Sequence, residues 1–143
     1  MRHFASDAAE SYSVGVVDVA RWEQYSLGDA LPFQAMWYSV PPASSSPQDL
    51  HPEVELSVVV SGTASVEASG RITDVAAGSC FLLDTEEAHV IHNRSTDTPL
   101  MVFTTYWMPR EPVAATAGGG GATTTTRTAT TTAAGTAGGE TGR

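Results

Sequence analysis

A chain of 143 residues, 41% hydrophobic with three Trp, four Tyr and four Phe, can build one ordinary core but not two large domains. Its seven basic residues, all Arg, face sixteen acids for a formal net charge of −9. That balance argues against nucleic acid and anionic membrane surfaces as partners, since both need a basic patch; its plain reading is solubility. The Arg-only, Ala/Thr/Gly-heavy composition reads as bias in the coding sequence. Cys80 is the only cysteine, so no intramolecular disulfide can form. Within the apolar run Cys80-Phe81-Leu82-Leu83 it is expected to be an inert core thiol.

The opening MRHFASDAAESYSVGVVDVA holds neither the apolar run of a signal peptide nor that of a membrane helix, and a cytoplasmic location is expected. His3 is expected in a frayed terminus. From residue 12 onward the apolar pattern alternates with a period of two. Strands are predicted over residues 12–18, 33–40, 55–60, 63–68, 79–83, 88–92 and 100–107, each rich in Val, Thr and aromatics and separated by turn residues. Residues 18–30 have room for a short helical turn. Ser69-Gly70 reads as a tight hairpin leading into Arg71-Ile72, and Gly62 and Gly78 fall where strands should end and reverse. Short strands at this density imply an all-β, antiparallel sandwich or barrel. From residue 113 to 143 no aromatic, Leu, Ile or Met occurs, so this Ala/Gly/Thr-rich tail is expected to be disordered, as a linker or a solubilising segment. The domain is assigned to residues 1–112, its ordered part beginning near residue 10.

Two spaced patterns on these strands carry the chemistry. In the first, His51 and Glu55 stand four apart at the entrance of an apolar strand and share a face by alternation, while Leu56, Val58 and Val60 cover the other. Glu53 has the same parity and rivals Glu55. In the second, Asp84, Glu86, His89 and Asn93 follow an apolar run, with His89 on the side of Ile91 and His92 on the opposite side. Asp84-Thr85-Glu86-Glu87 reads as a solvated turn, and Asn93 as a turn-closing residue rather than a ligand. The aromatics Phe33, Trp37, Tyr38, Phe103, Tyr106 and Trp107 are core by default. Neither Trp37 and Tyr38 nor Tyr106 and Trp107 can both face inward, since neighbours along a strand point opposite ways.

The arrangement H-x3-E-x6-G, fifteen intervening residues, then G-x10-H-x3-N, running from His51 to Asn93, resembles the two signature motifs of the cupin superfamily. The resemblance implies a small antiparallel double-stranded β-helix, a jelly-roll barrel, with one divalent metal ion near its centre. It carries His51 over as a first-motif His, Glu55 as the first-motif Glu and His89 as the second-motif His. This sequence has Asp49 where the family has its other first-motif His, and Asp84 and Glu86 where the family has Pro and Gly. Two His and one carboxylate form a facial triad suited to Fe(II), Mn(II), Ni(II) or Zn(II), with Asp49 as a fourth ligand or the general base. Ligation needs neutral imidazoles, so metal binding should weaken as pH falls below the ordinary His pKa of ~6.5.

The resemblance further implies a homodimer, and a metal-dependent enzyme acting on a small organic molecule, for example in secondary metabolism. A non-catalytic barrel that captures a small ligand is the alternative. The HVIHN and YWMP stretches also resemble the cupin portion of hydrazine-forming synthetases. An accessory fragment of a larger enzyme is a further possibility, drawn from the linker-like tail.

Overall fold

The computed structural model describes residues 1–27 and 30–110. The expected disordered tail, residues 113–143, and the domain boundary at 112 lie outside the described residues. The described strands are β1 Tyr12–Val14, β2 Val17–Arg21, β3 Gln34–Val40, β4 Ser44–Ser45, β5 Val54–Ser61, β6 Thr63–Ala68, β7 Arg71–Ala76, β8 Cys80–Leu83, β9 His89–Asn93 and β10 Leu100–Trp107. Two 3-10 turns, Ser6–Ala8 and Trp22–Tyr25, are the described helical elements, and the second fulfils the turn expected in residues 18–30. None of the described helices is long and apolar enough to cross a membrane.

The strands form a six-stranded sheet in the order β1-β2-β3-β10-β5-β8 and a four-stranded sheet in the order β4-β9-β6-β7. Every recorded strand pair is antiparallel, and the chain is an all-β jelly-roll barrel. Both sheets contribute to one core, Val40, Val59, Leu100 and Val102 from the larger and Ala64, Val66 and Ile91 from the smaller. Burial of such a Val, Leu or Ile side chain stabilises by roughly 1.5–3 kcal/mol, and this drives the sheets together.

Local chemistry explains most boundaries. Ser69 and Gly70 have φ of 51° and 71°, the two positive values that a tight hairpin between twisted strands demands, so β6 and β7 pair in register from Thr63↔Ala76 to Ala68↔Arg71. Residues 12–18, expected as one strand, break at Gly15 into the hairpin β1–β2. There φ is +62°, and a Cβ would lie 2.9 Å from Pro47 Cγ, so glycine meets both the turn and the close approach. β4 is a departure from the sequence expectation, because two residues carry no period and this strand exists only through pairing with His92 and Asn93 of β9.

A second departure concerns Cys80. It is exposed, because Cys80 and Leu82 lie on the outward side of β8, which no described segment covers. The aromatic pairs divide as alternation requires at β3: Tyr38 is buried inside, while Trp37 stacks outside on Phe103 with ring centroids 4.6 Å apart.

Asn93 fastens the loop that follows β9. It is 2% exposed; its Nδ2 lies 3.0, 3.2 and 2.9 Å from the carbonyls of Val40, Pro41 and Thr98, and its Oδ1 accepts from the Ser95 N–H. Truncation leaves buried carbonyls without donors, so Asn93→Ala should lower stability by about 2–3 kcal/mol, read as a reduced urea midpoint at unchanged slope.

Candidate metal centre

Alternation along two strands supplies the interior groups. On β5, Glu55, Ser57 and Val59 are buried, whereas Val58 and Val60 face outward. On β9, His89, Ile91 and Asn93 are buried, and His92 points outward, where Ser45 Oγ lies 2.7 Å from its Nδ1 and Glu67 Oε2 lies 3.0 Å from its Nε2. The loop before β5 brings the remaining groups. Asp49 and His89 exchange backbone hydrogen bonds, each amide donating to the other's carbonyl at 3.0 Å. The Glu86 amide donates to the His51 carbonyl at 2.8 Å, tying the His51 backbone to the β8–β9 turn.

Asp49, His51 and His89 converge, each offering one potential ligand atom within 4.8 Å of the others. Two atoms on opposite sides of one ion at bonds of ~2.1 Å are about 4.2 Å apart, so a few tenths of an ångström of closure suffices to share an ion. The converging group has Asp49, not Glu55, as its carboxylate; Glu55 approaches His51 from the barrel interior, its Oε2 3.1 Å from His51 Nε2. That is about the spacing of neighbouring ligands around one ion with bonds of this length. Glu53 does not compete for this position: its carboxylate lies 3.8 Å from Nδ1, on the other side of the ring.

Hydrogen bonds settle how the imidazoles present themselves. His51 Nδ1 lies 3.1 Å from the Glu53 carbonyl, and His89 Nδ1 lies 2.8 Å from the Glu87 carbonyl. A carbonyl oxygen only accepts, so each Nδ1 carries the proton, and in the neutral ring each Nε2 presents a lone pair. Backbone acceptors behind the ring are the usual means of orienting a ligating histidine. His51 Nε2 and an ionised Glu55 Oε2 are then two acceptors face to face, and such a pair calls for a cation or a proton. The rings meet edge to face, with centroids 5.3 Å apart and planes at 76°.

The other oxygen of Glu55 is held elsewhere. Its Oε1 accepts from Ser57 Oγ at 2.7 Å and from Thr104 Oγ1 at 2.9 Å, and these hydroxyls lie 2.7 Å apart. Neither hydroxyl was foreseen from the sequence. Ser57 carried a signal, since it shares parity with Glu55; Thr104 carried none, because its place opposite Ser57 comes from the β5–β10 register.

A cavity of about 200 Å³ adjoins the group. Asp49, Glu55, His89 and Tyr38 form its polar side, and Val17, Val19, Met36 and Ile91 its apolar wall. Among the described residues the buried Tyr38 hydroxyl has no hydrogen-bond partner within bonding distance. Burial above all, and then the charge of Glu55, pushes its ionisation well above the ordinary tyrosine range, with Ser57 acting weakly in the other direction. Burial, followed by the charge of Glu23, also raises Tyr106. A raised folded pKa means that the unfolded chain releases the phenol proton first. The stability linked to these phenols is therefore complete below the ordinary pKa of ~10 and declines above it. In a titration followed at 295 nm, one of the four tyrosines should ionise only together with alkaline unfolding, and Tyr38→Phe should remove that delayed amplitude.

The family described as Cupin domain (Cupin_2) matches residues 36–106. The fold is similar to a cupin 2 conserved barrel domain protein from Salinispora arenicola, at TM-score 0.65 and 22% identity over 75% of this chain and 88% of that one. It is similar to a predicted oxalate decarboxylase from Thermotoga maritima, at TM-score 0.64 and 18% identity over 76% of this chain and 100% of that one. It is also similar to the polyketide cyclase RemF from Streptomyces resistomycificus, at TM-score 0.64 and 17% identity over 78% of this chain and 82% of that one. No curated protein matches this chain.

Proposed function

Because this chain belongs to the cupin family, its residues 36–106 matching the cupin domain, we propose that it is a metal-dependent enzyme acting on a small organic molecule. His51, His89 and Glu55 hold one divalent ion, and Asp49 joins them from the rim. The observation that carries this reading is the convergence of Asp49, His51 and His89, whose potential ligand atoms lie within 4.8 Å of one another, with both imidazoles backed at Nδ1 by backbone carbonyls and the Nε2 of His51 facing Glu55 Oε2 at 3.1 Å. Two nitrogens and two carboxylates suit Fe(II), Mn(II), Ni(II) or Zn(II) and leave positions open for substrate or water. When bound, such an ion polarises an oxygen of the substrate or lowers the pKa of a bound water.

The chain's own groups define what is admitted. A cavity with carboxylates and imidazole on one side and Val17, Val19, Met36 and Ile91 on the other favours a molecule with an oxygen-bearing head and an apolar body. Secondary metabolism is a fitting context, and the structural likeness to a polyketide cyclase is the comparison that brings it to mind. Asp49 is exposed at the rim, and its Oδ1 already accepts from the Leu50 amide at 2.8 Å, so its second oxygen is free to ligate or to take a substrate proton. A cytoplasmic location belongs to the same proposal. A non-catalytic binding barrel is the second reading, favoured by the apolar wall of the same cavity.

Metal analysis tests the centre. Protein purified without added metal, or reloaded after chelation, should hold close to one divalent ion per chain, and His51→Ala, Glu55→Ala and His89→Ala should each reduce occupancy at least tenfold. Failure of the wild type to hold metal, or full retention in all three variants, removes the proposal. Asp49→Asn separates the rim roles: lost metal marks a ligand, whereas retained metal with lost turnover marks the base.

The proposed partner is a second copy. The outward side of β5 and β8 aligns Val58 with Cys80 and Leu56 with Leu82, all uncharged in a strongly acidic chain, beside Trp37 and Phe103, on which Trp22 of the same chain already packs. Two such faces meet without like-charge repulsion. Sedimentation should show a dimer, and Val58→Glu should convert it to a monomer with the metal retained.

A further inference from the structure

Resting on the metal reading above, we propose that Ser57 and Thr104 are positioning residues that clamp one oxygen of Glu55 and thereby present the other, Oε2, to the metal centre. Glu55 and Ser57 stand two apart on β5 and so share the inner face; Thr104 is the direct cross-strand partner of Ser57 on β10. Ser57 and Thr104 are fully buried and Glu55 is 6% exposed, so water does not compete for these bonds.

The count of protons explains why the clamp is one-sided. Ser57 Oγ lies 2.7 Å from both Glu55 Oε1 and Thr104 Oγ1, and Thr104 Oγ1 lies 2.9 Å from Oε1. Two hydroxyl protons either both reach Oε1 or pass in relay from one hydroxyl through the other to Oε1. Oε1 is occupied in either arrangement, and Oε2 is left 3.1 Å from His51 Nε2. The Leu56 carbonyl is farther from Thr104 Oγ1, at 3.3 Å.

Position in the core argues against filler. Ser57 and Thr104 neighbour Val59 and Val102, both fully buried, and valine is isosteric with threonine. A buried hydroxyl costs about 1–3 kcal/mol of desolvation unless it is bonded, so an aliphatic side chain would serve packing better at both places. The hydroxyls are explained by what they bond, and what they share is Glu55 Oε1. A glutamate has three rotatable bonds, and in an unclamped state its carboxylate can turn either oxygen, or neither, toward the histidines. Fixing it removes that freedom before the ion arrives, which is how outer partners raise metal affinity.

Cobalt(II) is the probe, because its visible absorption reports both affinity and ligand geometry. Titration of the full chain should show one site. Thr104→Val, and more strongly Ser57→Ala/Thr104→Val, should weaken Co(II) binding about 10- to 100-fold and shift the absorption band, while Thr104→Ser, which keeps the hydroxyl, should remain within about twofold of wild type. A thermodynamic cycle distinguishes positioning from general packing. In a Glu55→Ala background the loss caused by Thr104→Val should fall to twofold or less, since no side-chain oxygen remains to be clamped. An equal loss in both backgrounds, or unchanged affinity in the double variant, overturns the clamp and leaves the metal centre standing. A wild-type protein that binds no Co(II) overturns the metal reading and the clamp together. Should the double variant fold poorly, Thr104→Val and Thr104→Ser decide the same question alone, because each alters a single hydroxyl or methyl group.

Discussion

A carboxylate placed inside an aliphatic barrel is the constraint around which this protein is arranged. Glu55 is 6% exposed and lies on the same face as Val59, in an environment that opposes its charge. Removing an ionised carboxylate from water is tolerated only when its oxygens are bonded and an opposite charge is at hand. Two hydroxyls from adjacent strands occupy Oε1, and His51 stands at Oε2. The two hydroxyls depend on strand register: a shift of one residue between β5 and β10 would turn Ser57 and Thr104 to opposite sides and leave Oε1 bare.

The barrel gives these groups a rigid frame on one side and an adjustable edge on the other. Glu55, Ser57, Thr104 and His89 sit on strands, with side chains directed by the pleat. Asp49 and His51 come from the loop before β5, yet that loop is pinned to the smaller sheet by the reciprocal Asp49–His89 bonds and to the β8–β9 turn by the Glu86 amide. The carbonyls of Glu53 and Glu87 then fix the rotation of both rings. Main-chain atoms thus do most of the orienting, which leaves the neighbouring side chains free to shape the cavity.

Polarity divides the same cavity. Its aliphatic wall comes largely from β2, β3 and β9, and the hairpin β1–β2 approaches it closely enough that Gly15 meets Pro47. A metal at the polar side and hydrocarbon opposite would orient a substrate by its ends rather than by many specific contacts. That economy is consistent with a fold that hosts many chemistries, where the function resides in the site and not in the barrel.

Much was legible in the sequence, and the reason is periodicity. Alternation alone assigned β3, β5, β6, β8, β9 and β10, set Glu55 against Val58 and Val60, and separated His89 from His92, because a pleated strand sends neighbours to opposite faces whatever surrounds it. The Ser69-Gly70 hairpin was equally local, since positive φ at both positions is a property of those residues and that turn. Features that depend on distant segments were not legible: β4 exists only by pairing with β9, Cys80 is exposed because no described segment covers the outward face of β8, and Asp49 is placed by its bonds to His89. The pairing of Ser57 with Thr104, 47 residues apart, belongs with these. The sequence by itself determined which side chains share a face of each strand, because that follows from two residues per repeat. Only the tertiary structure decided which faces meet, because cross-strand register and sheet order arise from the burial of the whole core and have no signature in any one segment.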